Sequence, residues 1–210
     1  MIKILSADDH PVVRRGLRQI LGEESDMTVL GEAATSPEVL EKVRQQHYDL
    51  VLLDITLPGR GGLEVLKELK HDYPKLPVLI LSMHPEDQFG ARVLKAGAAG
   101  YMTKESAPEI LVNAIRKVHG GGKYVSPSLA EKLAFDLEID TNRPLHERLS
   151  DREYQVMCMI ASGKTVSEVA KELSLSVKTI STHRARILEK MKMRTNAQLT
   201  HYAVKNQLVH

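Results

Sequence analysis

The chain contains no tryptophan, two phenylalanines and one cysteine among its 210 residues. A lone Cys158 cannot close an intrachain disulfide. Without a Cys-x-x-Cys pair there is also no thiolate cage for zinc or an iron–sulfur cluster, and Cys158, inside the apolar run from Val156 to Ile160, is expected to be a small buried hydrophobe. With only Phe89 and Phe135 as large apolar rings, an aromatic-lined cavity for a hydrophobic small ligand is not expected. No apolar run approaches the roughly 18 to 20 residues of a membrane span. The opening MIKILSADDH puts adjacent carboxylates where a signal peptide needs its apolar centre, so a cytoplasmic protein with no membrane partner is expected. Internal repeats and low-complexity tracts are missing too. Hydrophobic residues at 42% and charged residues at 27% exclude a disordered or collagen-like chain.

What is present is unevenly divided. The length is about one and a half ordinary domains, which favours two modest units over one large core. Residues 1–119 carry 15 basic and 17 acidic side chains, 120–149 carry 4 and 5, and 150–210 carry 10 and 5. The positive excess therefore sits in the last stretch of about 60 residues. That balance suits a polyanionic partner, and it suits a solvated helical surface equally well.

Residues 2–7, 27–32, 50–53, 78–82 and 99–102 read as strands. Between them, 11–21, 37–46, 62–71, 86–96 and 107–119 carry apolar side chains at helical spacing. Five strands alternating with five helices require right-handed crossovers and a parallel sheet with helices on both faces, an α/β doubly wound fold. Leu50-Val51-Leu52-Leu53 is apolar without alternation, as a central parallel strand is. Gly120-Gly121-Gly122 stops the fifth helix. The organisation expected is a domain over 1–119, a linker over 120–145 with one short helix near 128–137, and a domain over 146–210. In the last, helices over 151–162, 166–173, 177–191 and 196–207 each begin near a Ser, Thr or Asn able to cap them.

In a doubly wound sheet, ligands bind beyond the carboxyl ends of the strands. Asp8 and Asp9 follow the first strand there and Asp54 follows the third. Three carboxylates crowded against an apolar sheet repel one another unless a cation sits among them, and hard oxygen donors suit Mg2+, or Mn2+. Taken singly, Asp8 and Asp9 also read as helix caps and Asp54 as the start of a loop. The fourth strand ends at the hydroxyl of Ser82, however, and the fifth is followed by the ammonium of Lys104. A hydroxyl, an ammonium and a cation site facing one carboxylate make a pocket for a phosphoryl group, with Asp54 as nucleophile.

Asp8-Asp9, Asp54 followed by Pro58 and Gly59, Ser82, and Gly100-Tyr101-Met102-Thr103-Lys104 together resemble the receiver domain of two-component response regulators. The resemblance covers residues 1–119 and implies a flavodoxin-like five-stranded sheet. It implies that Asp54 accepts the phosphoryl group, that Asp9, Asp54 and the main-chain carbonyl of Thr56 hold Mg2+, and that Asp8 acts through water. By the same resemblance Ser82 and Tyr101 are the switch pair: phosphate draws the Ser82 hydroxyl inward and Tyr101 turns into the space vacated. The family commonly has proline after the pocket lysine, often through a cis bond. Glu105 stands there instead, which leaves cis or trans open.

Residues 164–183 have the layout of a helix-turn-helix. Val166, Val169, Ala170 and Leu173 form one apolar stripe, Leu175 closes a serine-rich turn, and Ile180, Ile187 and Met191 continue the core. Stepping 100° per residue from Ile180 sends Lys178, Thr182, Ala185, Arg186 and Glu189 to the outward side. A helix polar at its start, with Lys178, Thr179, Ser181 and Thr182, suits a DNA major groove. A four-helix module with a merely solvated face has the same pattern. LSDREYQVM and VKTISTHRARILEKMKM resemble the LuxR-type DNA-binding domain over 146–210. By that resemblance Arg184, near the apolar side of the wheel, snorkels toward a phosphate, and His183 packs at the core edge.

The two resemblances together identify a response regulator of the NarL/FixJ class. They imply a histidine kinase, double-stranded DNA and RNA polymerase as partners, and a homodimer on phosphorylation. They also imply no enzymatic turnover beyond slow loss of the protein's own phosphoryl group. The alternative is a constitutive DNA-binding regulator with an inactive receiver. A phosphatase of the DxDx[TV] kind needs a second Asp two residues after the nucleophile, where this chain has Thr56.

Overall fold

Strand formation in the N-terminal half follows the apolar runs. The computed structural model describes residues 1–127, 129–131, 133 and 144–209, which fall into two units, Met1–Glu131 and Lys132–His210. The first has β1 (Ile2–Ala7), α1 (Pro11–Gly22), β2 (Met27–Ala33), α2 (Ser36–Gln45), β3 (Leu50–Leu53), α3 (Gly62–Asp72), β4 (Val78–Ser82), α4 (Glu86–Lys95), β5 (Gly100–Thr103) and α5 (Pro108–His119). All strand pairings are parallel and the spatial order is β2-β1-β3-β4-β5. This is the flavodoxin-like doubly wound sheet expected from the alternation of elements.

Successive strand residues point to opposite faces, and here both faces are dry. Ile4, Leu50, Leu52, Leu79 and Leu81 pack with Leu17 and Leu21 of α1 and with Leu111, Val112 and Ile115 of α5. The intervening Leu5, Val51, Leu53 and Ile80 are also buried, as are Val39, Leu66, Leu69, Phe89 and Val93 of α2, α3 and α4. That is why β3 shows no polar alternation.

Packing of the first unit continues beyond the three-glycine stop. Tyr124 donates its N–H to Ala99 O and accepts from Tyr101 N, at 2.9 and 3.3 Å, so the chain runs alongside β5. Gly100 permits this approach, since a Cβ there would lie 2.5 Å from the Tyr124 carbonyl oxygen. Of the short helix expected near 128–137, residues 129–131 and 133 are helical, and the rest lies outside the described residues.

The second unit has a 3-10 turn (Leu145–Arg148) and then α6 (Asp151–Ala161), α7 (Val166–Glu172), α8 (Val177–Lys190) and α9 (Asn196–Lys205). Each helix is started by its own hydroxyl cap. Ser150, Thr165 and Thr195 form reciprocal capping boxes with Glu153, Glu168 and Gln198, and Ser176 accepts from Thr179 N. Val156, Met157, Cys158, Val169, Ala170, Leu173, Ile180, Ile187, Met191, Leu199 and Ala203 are buried. The free Cys158 thus sits among hydrophobes.

Three helices of this unit stop on non-glycine residues in the left-handed region, Ser174 (φ 52), Lys192 (φ 55) and Gln207 (φ 53). In each case that residue's amide and the next one turn back onto the helix, as with Lys192 N to Glu189 O and Met193 N to Leu188 O, at 3.0 and 2.8 Å. An L side chain in that region costs roughly 1–2 kcal/mol. Because Lys192 is exposed, Lys192→Gly should stabilise the helical unit by about 1 kcal/mol. Urea unfolding followed by circular dichroism measures this, and a lowered midpoint contradicts it.

Candidate functional site

The chain reverses its winding direction between β1 and β3, and the crevice at their carboxyl ends is the topological switch point of the sheet. The β1 and β3 backbones end side by side, with Ala7 opposite Leu53 and Asp54 N donating to Ala7 O at 2.9 Å. The next residues, Asp8 and Asp54, are therefore driven together by sheet register alone. Both are buried, at 2% and 1% exposure.

Lys104 arrives from the end of β5 and lies between them. Its Nζ is 2.6 Å from Asp8 Oδ2 and 2.8 Å from Asp54 Oδ2, while its backbone N–H donates to Ser82 O at 2.8 Å. The Lys104–Glu105 peptide is trans. Desolvation by itself lowers the ammonium's pKa, but the charges and hydrogen bonds of Asp54 and Asp8 outweigh it and hold the pKa above the ordinary lysine value. A raised folded pKa means that the stabilisation is fully present below the unfolded lysine value of about 10.4. It is lost only as pH rises through the folded value, so Lys104 is charged across the neutral range.

Asp54 is also fixed by its own loop. Thr56 donates from its backbone N to Asp54 Oδ1 at 3.0 Å and from its hydroxyl to Oδ2 at 2.7 Å. The resemblance to receivers attaches only the Thr56 carbonyl to this site. The loop closes against α3 at Gly62, whose N donates to Ile55 O at 2.9 Å. A Cβ on Gly62 would stand 2.0 Å from the Asp54 carbonyl oxygen, so glycine is required for α3 to begin there.

Ser82 is fully buried at the end of β4, and its Oγ accepts from His84 N at 3.1 Å. Tyr101 is 1% exposed and its hydroxyl donates to His84 O at 2.7 Å. Burial raises the Tyr101 phenol well above its ordinary pKa, and Ser82, hydrogen-bonded to it, pulls the other way. The expected pair is thus brought together, with the tyrosine ring already inward.

Asp9 is only partly buried. Its Oδ1 lies 2.9 Å from His10 Nδ1. Oxygens of Asp8, Asp9 and Asp54 and a nitrogen of His10 fall within 4.8 Å of one another. Three hard carboxylate donors at the mouth of a crevice fit a small divalent cation of the Mg2+ type. Two neighbours escaped the sequence reading. His10 follows the acidic pair directly, and Arg14, one turn into α1, donates from Nη1 to Asp8 O at 2.6 Å. The only signal for either was its place in the first turn of a helix that opens at the crevice.

On the second unit, Lys178, Ser181, Thr182, Ala185 and Arg186 are exposed along α8. Thr179 is half-buried with its hydroxyl 2.8 Å from Ser176 Oγ, inside the cap. Arg184 is also half-buried, and its Nε donates to Asn196 Oδ1 at 2.7 Å, tying α8 to the start of α9.

With both surfaces described, the likeness to known proteins is direct. The family described as response regulator receiver domain matches residues 4–116, and that of bacterial regulatory proteins, luxR family, matches residues 147–203. The chain belongs to the response regulators, with a receiver domain and a LuxR-type DNA-binding domain. Response regulator UvrY of Escherichia coli (strain K12) is 36% identical over 209 residues, covering 99% of this chain and 96% of UvrY. Response regulator GacA of Pseudomonas syringae pv. syringae (strain B728a) is 38% identical over 210 residues, covering 100% and 98%. A solved structure of RcsB from Salmonella enterica serovar Typhimurium, bound to promoter rprA in the presence of phosphomimetic BeF3-, has a TM-score of 0.65 at 26% identity, covering 97% of this chain and 99% of that one. Among the described residues of this response regulator, no helix is long and apolar enough to cross a membrane.

Lys104 is paired with two of the three carboxylates that fit a divalent cation, so it would compete with one. Lys104→Met should tighten Mg2+ binding by at least about threefold, because removal of a unit charge a few ångströms away is worth more than that even at high effective dielectric. Isothermal titration calorimetry checks this. Unchanged or weaker Mg2+ binding contradicts a shared site.

Proposed function

We propose that this response regulator is a phosphorylation-switched transcription regulator whose acceptor is Asp54. The observation that carries the reading is the buried Asp54 carboxylate. It is oriented by two bonds from Thr56, is paired with Lys104, and has Asp8 and Asp9 oxygens within 4.8 Å. One oxygen of Asp54 attacks the phosphorus of a phosphohistidine on a partner kinase. A new O–P bond forms as the N–P bond breaks, and the departing imidazole leaves as the histidine side chain. Lys104 and Ser82 meet the transferred oxygens, which lowers the cost of their charge in a dry crevice. Asp9, Asp54 and the Thr56 carbonyl would hold Mg2+, with Asp8 acting through water, and the ion would supply charge neutralisation. Hydrolysis of the resulting acyl phosphate returns the resting protein, so no external substrate is turned over.

The division of labour we assign is a receiver over 1–119, a linker over 120–145 and a DNA-binding domain over 146–210. Tyr101, packed beside Ser82, couples the added charge to the receiver surface, a homodimer forms, and two copies of α8 meet double-stranded DNA. Lys178, Ser181, Thr182, Ala185 and Arg186 face the groove. Thr179, within the cap of α8, and Arg184, tied to Asn196 at the start of α9, contact the backbone. The protein acts in the cytoplasm, where it regulates RNA polymerase. A second reading, a constitutive regulator, is favoured by one observation: Tyr101 is already inward at 1% exposure, the place expected of it after switching.

Intact mass after incubation with Mg2+ and acetyl phosphate tests the acceptor. Wild type should gain one phosphoryl group and Asp54→Asn none, with the fold of the variant unchanged. Stoichiometric labelling of Asp54→Asn overturns the assignment, and an unlabelled, folded wild type supports the constitutive reading. On the DNA side, Lys178→Met with Arg186→Met should weaken binding to nonspecific duplex and reduce the salt slope by about 2. An unchanged slope places the DNA surface elsewhere.

A further inference from the structure

The donor set at the switch point is not all oxygen. His10 Nδ1 stands 2.9 Å from Asp9 Oδ1 and 3.2 Å from Asp8 Oδ1, and the His10 backbone N–H donates to Asp8 Oδ1 at 2.9 Å, which fixes where the ring begins. Ligands in adjacent positions of an octahedral ion with bonds of roughly 2.1 Å are about 3.0 Å apart, and opposite ones about 4.2 Å. The His10 nitrogen and its carboxylate neighbours have the adjacent spacing, and all four donors lie within 4.8 Å. The ring is 59% exposed, so it would meet an ion from the solvent side, where water would otherwise complete the shell.

We propose that His10 is a metal-selecting ligand, which makes the receiver crevice a mixed oxygen and nitrogen site. First-row transition ions such as Mn2+, Co2+ and Ni2+ are held through the imidazole, whereas Mg2+ is held by oxygen alone. The chemistry follows from ligand softness. Mg2+ dehydrates reluctantly and keeps water in preference to imidazole, while neutral imidazole is a good donor to Mn2+, Co2+ and Ni2+, increasingly so along that series. The same nitrogen is hydrogen-bonded to Asp8 Oδ1 at 3.2 Å and stands 2.9 Å from Asp9 Oδ1, which has no hydrogen-bond partner of its own among the described residues. The exchange from hydrogen bond to metal bond then needs little movement of the ring. This inference rests on the reading of Asp9 and Asp54 as the cation site.

The test is direct metal binding by the full chain, with no phosphodonor. Mg2+, Co2+ and Ni2+ are titrated by calorimetry into wild type, His10→Ala, His10→Gln and Asp9→Asn, with thermal unfolding to confirm that each variant is folded. Mn2+ complexes are examined by electron spin-echo modulation, which detects a coordinated imidazole 14N. Loss of an outer-shell partner of a metal site typically costs about tenfold or more, and loss of a direct ligand should cost no less. Both His10 variants should therefore weaken Co2+ and Ni2+ by about tenfold or more and leave Mg2+ within about twofold. The nitrogen modulation should be present in wild type and absent in both. Parallel changes for all ions, no change for Co2+ and Ni2+, or no nitrogen modulation in wild type overturns the role of His10. Undiminished Mg2+ binding by Asp9→Asn overturns the cation site itself, and the proposal with it.

Discussion

The receiver is organised around one buried ammonium between two buried carboxylates. Lys104 is 5% exposed, Asp8 2% and Asp54 0% at their side chains. Sheet register forces the two acids into one crevice, and a buried charge left without a partner costs several kcal/mol. The chain can tolerate that crevice only because β5 delivers a cation to it. One ammonium against two carboxylates leaves a negative excess, and the arrangement is not saturated. Asp9 and His10 remain at the mouth, and the Asp54 oxygens already hold Thr56 and Lys104. A charge added at this point would act on each bond in the set, and through Ser82 and Lys104 on the ends of β4 and β5.

From that set a short physical path leads outward. Lys104 N bonds to Ser82 O, Tyr101 beside it donates its hydroxyl to His84 O, and Tyr101 N bonds to Tyr124 O in the chain leaving the first unit. Tyr101 is thus hydrogen-bonded on one side to the loop after β4 and on the other to the segment that follows α5. Gly100 is the residue that lets that segment approach so closely. These bonds form a contiguous network, and a two-state change at Tyr101 would be felt by the backbone of that segment directly.

Much of this was legible in the residues because strong signals coincide. The unbroken apolar run at 50–53 marks a central strand, and Asp54, Ser82 and Lys104 each follow a strand end, where α/β sheets collect chemistry. The resemblance to receivers added Tyr101, whose position at a sheet edge otherwise reads as plain packing. What stayed hidden depends on side-chain direction. His10 and Arg14 turn into the crevice because α1 begins there, and no periodicity shows it. Thr56 uses its hydroxyl as well as its backbone. Gly62 is required by the carbonyl of Asp54, well before it in the chain. In the helical unit the starts were plain from Ser and Thr caps. The ends fall one or two residues earlier than the apolar spacing suggests, because Ser174, Lys192 and Gln207 adopt the left-handed turn without the glycine that usually announces it. Nor does anything in the sequence pair Arg184 with Asn196, to which its Nε donates.

The central claim is that a phosphoryl group on Asp54 changes the assembly of the whole chain. Sedimentation velocity of wild type tests it most directly, run on one preparation before and after stoichiometric labelling with acetyl phosphate and Mg2+. The account predicts a shift from monomer toward dimer that reverses as the acyl phosphate hydrolyses. Identical sedimentation of the labelled and unlabelled protein would contradict it.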